Sequence, residues 1–318
     1  MKHHQVIIVG GGPAGAACAR QLVRGGADVL VLDKQPFPRP KPCAGWVTPQ
    51  LLAALNLHPE DYPHALSEYP ALQIHLRGVP LRLPGRQYAV RREEFDHWLL
   101  RESGAPLEAH QVRKIQREKG RFLIDERYTA EYLIGAGGTH CPVYHQLFKE
   151  KDPRTGAQIA ALEVEFKKDW QEGRPQLWFF HRGLPGYAWY LPKQEGYVNI
   201  GLGGNAAVLK ERGRKILDHW KLFIRKLTRS GLIAGHLPEP EGHVYFLRGR
   251  GQQYRGEKVY LVGDAAGLAT LDMGEGIHPA VISGSLAAAA ILREEPYTLE
   301  NIPRISLLPG CLGWLLQD

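Results

Sequence analysis

The chain has 318 residues, enough for one large domain or two intimate ones, and its composition is that of an ordinary globular protein with a sizeable core. Its net charge of +7 comes from scattered Lys and Arg with no dense basic block, so a generally cationic surface is expected rather than a nucleic-acid partner. Cys18, Cys43, Cys141 and Cys311 lie far apart without a C-x-x-C pair, which argues against a zinc ribbon, an iron–sulfur cluster or a disulfide scaffold and favours a reducing compartment.

The start, Met1 to His4 followed by apolar residues, has too short an apolar core for a signal peptide. No run of about 18 uncharged apolar residues follows, so a cytoplasmic protein without a transmembrane helix is expected. Val6-Ile7-Ile8-Val9 reads as a buried strand and leads directly into Gly10-Gly11-Gly12-Pro13-Ala14-Gly15. An alanine-rich helix to about Val23 and a second apolar run, Val29 to Leu32, end on Asp33. Strand, G-x-G-x-x-G turn, helix, strand and terminal acid make a dinucleotide-binding unit in its required context. Gly10 makes the tight turn, Gly12 lets backbone approach a pyrophosphate, and Gly15 lets helix and strand pack. The helix N-terminus offers free N–H groups to that pyrophosphate. Asp33 stands where a carboxylate binds ribose hydroxyls.

Pro36, Pro38, Pro40 and Pro42 then forbid helix and central strand, leaving a stiff loop that carries Lys41, Cys43 and Trp46. It leaves the edge where open α/β sheets place ligands, so it reads either as a wall of a site or as a plain connector. Pro49 to Leu55 reads as a helix, Leu72 to Leu76 and Leu81 to Leu83 as strands, and Glu93 to Leu100 as an amphipathic helix with an arginine at its mouth. That arginine either reaches a cofactor or lies solvated. A small meander from Gln111 to Leu133 runs into the glycine-rich turn Gly135 to Cys141.

From Ala157 the pattern changes to aromatic-rich strands at Ile159–Phe166, Gln176–His181, Tyr187–Leu191 and Tyr197–Leu202, then a largely helical stretch from Arg212 to Leu232. An antiparallel sheet with one covering helix is expected. Tyr187, Trp189 and Leu191 share one strand face, an arrangement that by itself is more often packing than a substrate wall. Val259 to Val262 forms a further strand before Gly263 and Asp264. Gly274-Glu275-Gly276-Ile277 then opens a long apolar helix, a second position suited to binding anions and hydroxyls. The apolar end, Leu307 to Leu316, suits core packing, a pocket lid or contact with a membrane surface.

These segments together resemble the FAD-contact motifs of flavoproteins with the para-hydroxybenzoate hydroxylase-type fold, and within them the geranylgeranyl reductase family. Lys41-Pro42-Cys43-Ala44-Gly45 looks like that family's K-P-C-G-G loop. Val90 to Asp96 looks like its R-x-x-F-D helix start, aligning Arg92. Tyr187-Ala188-Trp189-Tyr190-Leu191-Pro192 resembles its Y-x-W-x-F-P substrate motif, and Gly274 to Gly284 its G-E-G-I…S-G helix. Gly137-Gly138 stands where the family usually has Asp-Gly.

The resemblance implies an α/β fold: a Rossmann-type FAD-binding domain, a parallel sheet with ββα-type insertions, beside a second antiparallel-sheet substrate domain. The expected division is 1–65, 88–156 and 255–295 for the discontinuous FAD-binding domain, 66–87 and 157–254 for the substrate domain, and 296–318 for a tail. It implies an FAD site of Gly10, Gly12, Pro13, Ala14, Gly15, Asp33 and Lys34 from the first unit, with Lys41, Cys43, Ala44 and Arg92. Ala136, Gly137, Gly138, Gly263, Asp264, Gly274, Gly276 and Ile277 complete it.

Cys43, Tyr187 and Trp189 are the implied catalytic residues, with Cys43 or an ordered water as proton source and no metal. The implied reaction is reduction of C=C bonds in an apolar, prenyl-like substrate, fed by a transient NAD(P)H or ferredoxin-type donor, with peripheral membrane contact. Two alternatives stand beside it: an FAD-dependent monooxygenase or halogenase of the same fold, and a non-catalytic flavin-bearing electron-transfer or lipid-binding protein.

Overall fold

The protein is described here by a computed structural model covering residues 1–76, 78–150, 154–168, 173–251 and 253–307. In chain order the elements are β1 (Lys2–Val9), α1 (Pro13–Arg24), β2 (Val29–Asp33), β3 (Trp46–Val47), α2 (Pro49–Leu55), β4 (Leu66–Leu76), β5 (Val79–Val90) and α3 (Arg92–Arg101). There follow β6 (Leu107–Ala109), β7 (Ile115–Glu118), β8 (Arg121–Ile124), β9 (Tyr128–Gly135), α4 (Pro142–Leu147), β10 (Gln158–Lys167), β11 (Gln176–Phe179), β12 (Gly186–Lys193) and β13 (Tyr197–Asn205). The remainder is α5 (Ala206–Glu211), α6 (Ile216–Arg229), β14 (Glu241–Phe246), β15 (Arg255–Gly256), β16 (Val259–Leu261) and α7 (Ile277–Leu292).

The first sheet has the order β15-β16-β9-β1-β2-β6, with β7 and β8 joined on as a meander against β9. β1 pairs in parallel with β2 and β9, and β9 with β16. Val6 to Val9 and Val29 to Leu32 are apolar without interruption because helices cover both faces of such a sheet, and all eight residues are buried. α1 crosses α7 through small residues. A Cβ on Gly284 would lie 2.1 Å from the Ala14 carbonyl oxygen, so the two backbones touch at that glycine.

The second sheet, in the order β14-β10-β13-β12-β11-β4-β5-β3, is antiparallel except where β11 meets β4. Its central strands send alternate residues to opposite faces. Val164, Trp178, Ile200 and Leu202 pack under Trp220, Phe223 and Leu227 of α6, whereas Leu177, Phe179, Trp189 and Leu191 form a separate apolar cluster on the other face. Both faces of the central strands are therefore buried, one by α6 and the other in a cluster that includes Ala44, Trp46 and Met273.

The expected architecture is present, with three local differences. The helical stretch from Arg212 to Leu232 is two helices, since Gly213 at φ +60° ends the short α5, whose start is capped by the Asn205 side chain. The runs at Leu72–Leu76 and Leu81–Leu83 are the middle of a long hairpin, β4–β5. β14 was not anticipated at all. Residues 308–318, which include Cys311 and most of the apolar end, lie outside the described residues. No helix among the described residues is long and apolar enough to cross a membrane.

Candidate active site

The register of the first sheet brings four strand ends together. Val9 opposes Leu32 on one side and Gly135 on the other, and Gly135 opposes Leu261. The ladder continues one step beyond: Gly10 N–H donates to Leu32 O at 2.8 Å, Ala136 N–H to Val9 O at 2.8 Å and Val262 N–H to Gly135 O at 3.0 Å. From β1 the chain continues to β2 on one side and β9 lies on the other, so this edge is a topological switch point, where such sheets hold ligands. Gly10 at φ +113° turns so tightly that a Cβ would sit 2.4 Å from Ala136 O. A Cβ on Gly15 would meet Gly10 O at 1.9 Å, which locks α1 under the turn. A Cβ on Gly12 would meet nothing within 4 Å, so backbone at the helix N-terminus is open to a ligand.

Asp33 is 5 % exposed and partly engaged: Oδ2 accepts from Gly11 N–H at 2.8 Å and Oδ1 from Gln35 N–H at 3.1 Å, which leaves acceptor capacity on the carboxylate. Arg39, whose guanidinium stacks over Phe37 at 4.6 Å, approaches the same carboxylate at 3.4 Å, and its Nε is buried without a partner among the described residues.

A cavity of about 630 Å³ runs from this edge to the second sheet. Gly10, Gly12, Pro13, Ala14, Asp33 and Lys34 line one end, with Lys34 on its exposed rim. Lys41, Cys43, Ala44 and Arg92 line its wall, as do Ala136, Gly137 and Gly138. Asp264, Gly274, Gly276 and Ile277 close the other side, and Tyr187 and Trp189 lie at the far end. Gly15 and Gly263 are not in the lining. Gly15 packs α1, and Gly263, at φ +57°, donates to Ser283 Oγ at 2.9 Å.

Arg92 is buried rather than solvated. It forms a two-pronged pair with Asp96 one turn on, Nε to Oδ1 at 2.8 Å and Nη2 to Oδ2 at 2.9 Å. Burial alone would lower its pKa, but Asp96 and the neighbouring Cys43 more than offset that, and the group is held above its ordinary value. Cys43 is a free thiol, its sulfur accepting weakly from Gly45 N–H at 3.4 Å. Its carbonyl receives Asn199 Nδ2 at 3.5 Å, and Asn199 Oδ1 accepts the Trp189 indole N–H at 2.7 Å. The cysteine loop and the aromatic strand are thus joined through one amide. The Tyr187 hydroxyl donates to Met273 O at 2.6 Å, joining the same strand to the Gly274 turn.

Between the aromatic strand and β14 the sheet face carries small residues at Gly201, Gly203 and Ala161, with Glu163 among them. Trp189 and Tyr187 oppose Gly201 and Gly203, which oppose Glu163 and Ala161, which oppose Glu241 and His243. The result is a trough with an aromatic wall on each side, Tyr187 and Trp189 facing His243 and Tyr245. The Trp189 indole lies over Gly201, where a Cβ would come within 2.1 Å of the ring. Gly201→Ala is therefore expected to push the indole out of its place, costing about 1–3 kcal/mol of stability and lowering turnover. Tryptophan fluorescence and a denaturant titration would register the shift, and a variant identical to the parent in both would contradict this packing. Tyr245 backs onto Gly274 in the same way, its hydroxyl 2.3 Å from where a Cβ would stand. Glu275, next in that turn, is almost wholly buried, which pushes its carboxyl up to about 7 against the opposing pull of the His278 and Ile277 N–H groups.

Residues 5–110 match the family model for FAD dependent oxidoreductases. An uncharacterised protein of Methanosarcina barkeri is 32% identical, over 92% of this chain and 75% of its own length. Digeranylgeranylglycerophospholipid reductase 2 of Methanopyrus kandleri is 28% identical, over 94% of this chain and 80% of its own length. A geranylgeranyl bacteriochlorophyll reductase-like protein of Thermoplasma acidophilum has the same fold, with a TM-score of 0.80 at 22% identity, covering 92% of this chain and 79% of that one. The chain belongs to the geranylgeranyl reductase family of FAD-dependent oxidoreductases.

The residues of this family member fit its cofactor. The cavity is long, glycine turns at Gly10–Gly12 and Gly274–Gly276 present backbone along it, and a Cβ on Gly276 would crowd Asp264 Oδ1 at 3.2 Å. Arg39 Nε and Glu275 Oε2 are buried beside it without partners among the described residues. Arg39, Glu163, Asn199, Lys193, His243 and Tyr245 did not emerge from the sequence. Glu163 and Glu165 alternate with Leu162 and Val164, the pattern of a solvated strand face, and only the second buried face of the sheet reverses that reading.

Proposed function

We propose that this oxidoreductase reduces carbon–carbon double bonds of a prenyl lipid whose chain lies in the trough beside Trp189. The observation that carries the reading is the trough itself: an aromatic-walled groove floored by Gly201, Gly203, Ala161 and the buried Glu163 that is continuous with the cofactor cleft. The name of the Methanopyrus relative supports the substrate class. In this reading the N-terminus of α1 with Gly12 holds the pyrophosphate of FAD, Asp33 the adenosine ribose and Asp264 the ribityl chain. The N-terminus of α7, behind Gly274 to Ile277, stabilises negative charge on the ring system. Bound FAD supplies the hydride.

The chain's own part is to position and to exclude. Trp189 is fixed by Asn199 and Tyr187 by Met273 O, so the aromatic wall holds the alkene at one place, and a prenyl chain seated against that wall displaces water from the reacting carbons. Arg92 and Asp96 hold the Cys43 loop in place. The electron donor, a nicotinamide or ferredoxin-type molecule, binds transiently.

The test is to reduce the FAD-loaded protein with dithionite without oxygen, add digeranylgeranylglycerophospholipid or geranylgeranyl diphosphate, and weigh the products. Gain of two hydrogens for each double bond reduced is expected. Lipids recovered unchanged from fully reduced protein would refute the reading.

A further inference from the structure

Glu163 stands in the middle of β10 on the face that looks into the cavity, and it is 3 % exposed. It opposes Gly201, which opposes Trp189, and since the indole lies over the glycine nothing bulky separates ring from carboxyl. Its Oε2 is buried and has no hydrogen-bond partner among the described residues. Such an atom calls for an explanation, and a catalytic role, a bound group and an ordered water are the candidates.

The charged groups around it are mostly engaged elsewhere. Lys193 of β12 donates to Glu165 Oε2 at 2.5 Å and to Val90 O at 2.8 Å, and Arg92 of α3 is paired with Asp96. Lys41 approaches from the cysteine loop, and Glu165 shares the strand face. From β14, Glu241 is the exposed cross-strand partner, while burial holds the His243 imidazole down to about 4, neutral and with Nδ1 unpartnered. Burial outweighs the attraction of Lys193, Lys41 and Arg92, so the Glu163 carboxyl is pushed up to about 8. At neutral pH it holds its proton.

We propose that Glu163 is the catalytic acid, delivering a proton from the floor of the trough to the double bond held beside Trp189. The proposal rests on the C=C reduction put forward above. As the alkene π bond breaks, one carbon forms a C–H bond with a hydride, and hence two electrons, from reduced FAD. The other carbon forms a C–H bond with the proton of Glu163. The step leaves oxidised FAD and a Glu163 carboxylate that regains its proton from water.

The experiment compares wild type, E163Q and E163D, all loaded with FAD. Two measurements are made: oxygen-free reoxidation of the reduced flavin by prenyl lipid across pH, and the infrared band of protonated carboxyl. Wild-type kcat/KM should fall as pH rises through about 8, because the acid loses its proton there. E163Q should retain FAD, react about 10²–10⁴-fold more slowly and lose that break. A carboxylic-acid band present at pH 7 should shift in E163D and be lost in E163Q, leaving only the contribution of Glu275.

An E163Q protein as fast as wild type, or showing the same pH break, overturns the proposal. Should E163Q not retain FAD, absence at neutral pH of a band that shifts in E163D overturns it as well. If wild type reduces no prenyl lipid, the C=C reading fails first and takes the proposal with it, whereas an active wild type with an unaffected E163Q sinks the acid alone.

Discussion

Asp96→Ala is expected to cost about 3–5 kcal/mol of stability and to strip the protein of FAD. Asp96 is 1 % exposed and Arg92 is 8 % exposed, and the two are joined by a pair of short hydrogen bonds one helical turn apart. Removing the acid leaves a guanidinium in the interior that cannot discard its proton. The group also faces Cys43, so its displacement would disturb the loop that walls the cavity. Urea unfolding and flavin content of the purified variant measure the two effects. A double variant, Arg92→Met with Asp96→Leu, is expected to recover much of the stability but not the cofactor. Full stability and full flavin content in Asp96→Ala would contradict the assignment.

Gly284→Val is expected to be nearly as damaging, at about 3 kcal/mol, the upper end for overpacking. A Cβ there would stand 2.1 Å from Ala14 O and 3.1 Å from Cys18 N, both backbone atoms of α1. α1 has no room to retreat, because Gly15 on its other side already touches Gly10 O. Strain at this crossing should displace the helix N-terminus that faces the pyrophosphate, so FAD affinity and Tm should fall together. A variant that loses Tm while binding FAD as tightly as the parent would uncouple the crossing from the site.

The cofactor half of the molecule was legible in the sequence because its determinants are local. Gly10, Gly12, Gly15 and Asp33 lie within one strand–turn–helix–strand unit, and the structure gives each glycine a steric or open-backbone reason. Asp264 and the Gly274 turn were readable for the same cause. The Arg92–Asp96 pair has the i, i+4 spacing of a helix and was visible as a pattern, but its burial was not, since that depends on packing from the cysteine loop.

The substrate half was less legible because it depends on which strands adjoin. Nothing local marks Glu163 as buried, or Gly201 as space for an indole. β14 is preceded by Pro238 and Pro240 and opens on Glu241, Gly242 and His243 before its short apolar run, so it did not read as a strand, yet it supplies His243 and Tyr245. The strap after α7 is another long-range case: Asp272 accepts from Ser306 N–H at 3.0 Å and Leu307 N–H at 2.8 Å, placing Leu307 beside Met273 and the aromatic cluster.

The central claim, reduction of an alkene rather than activation of oxygen, is tested most directly by following reduced flavin without oxygen after mixing with a prenyl lipid. The account expects the flavin to reoxidise at a rate that rises with lipid concentration, with one double bond saturated per flavin. Flavin that stays reduced until oxygen is admitted, with an oxygen or halogen atom then appearing in the product, would contradict it.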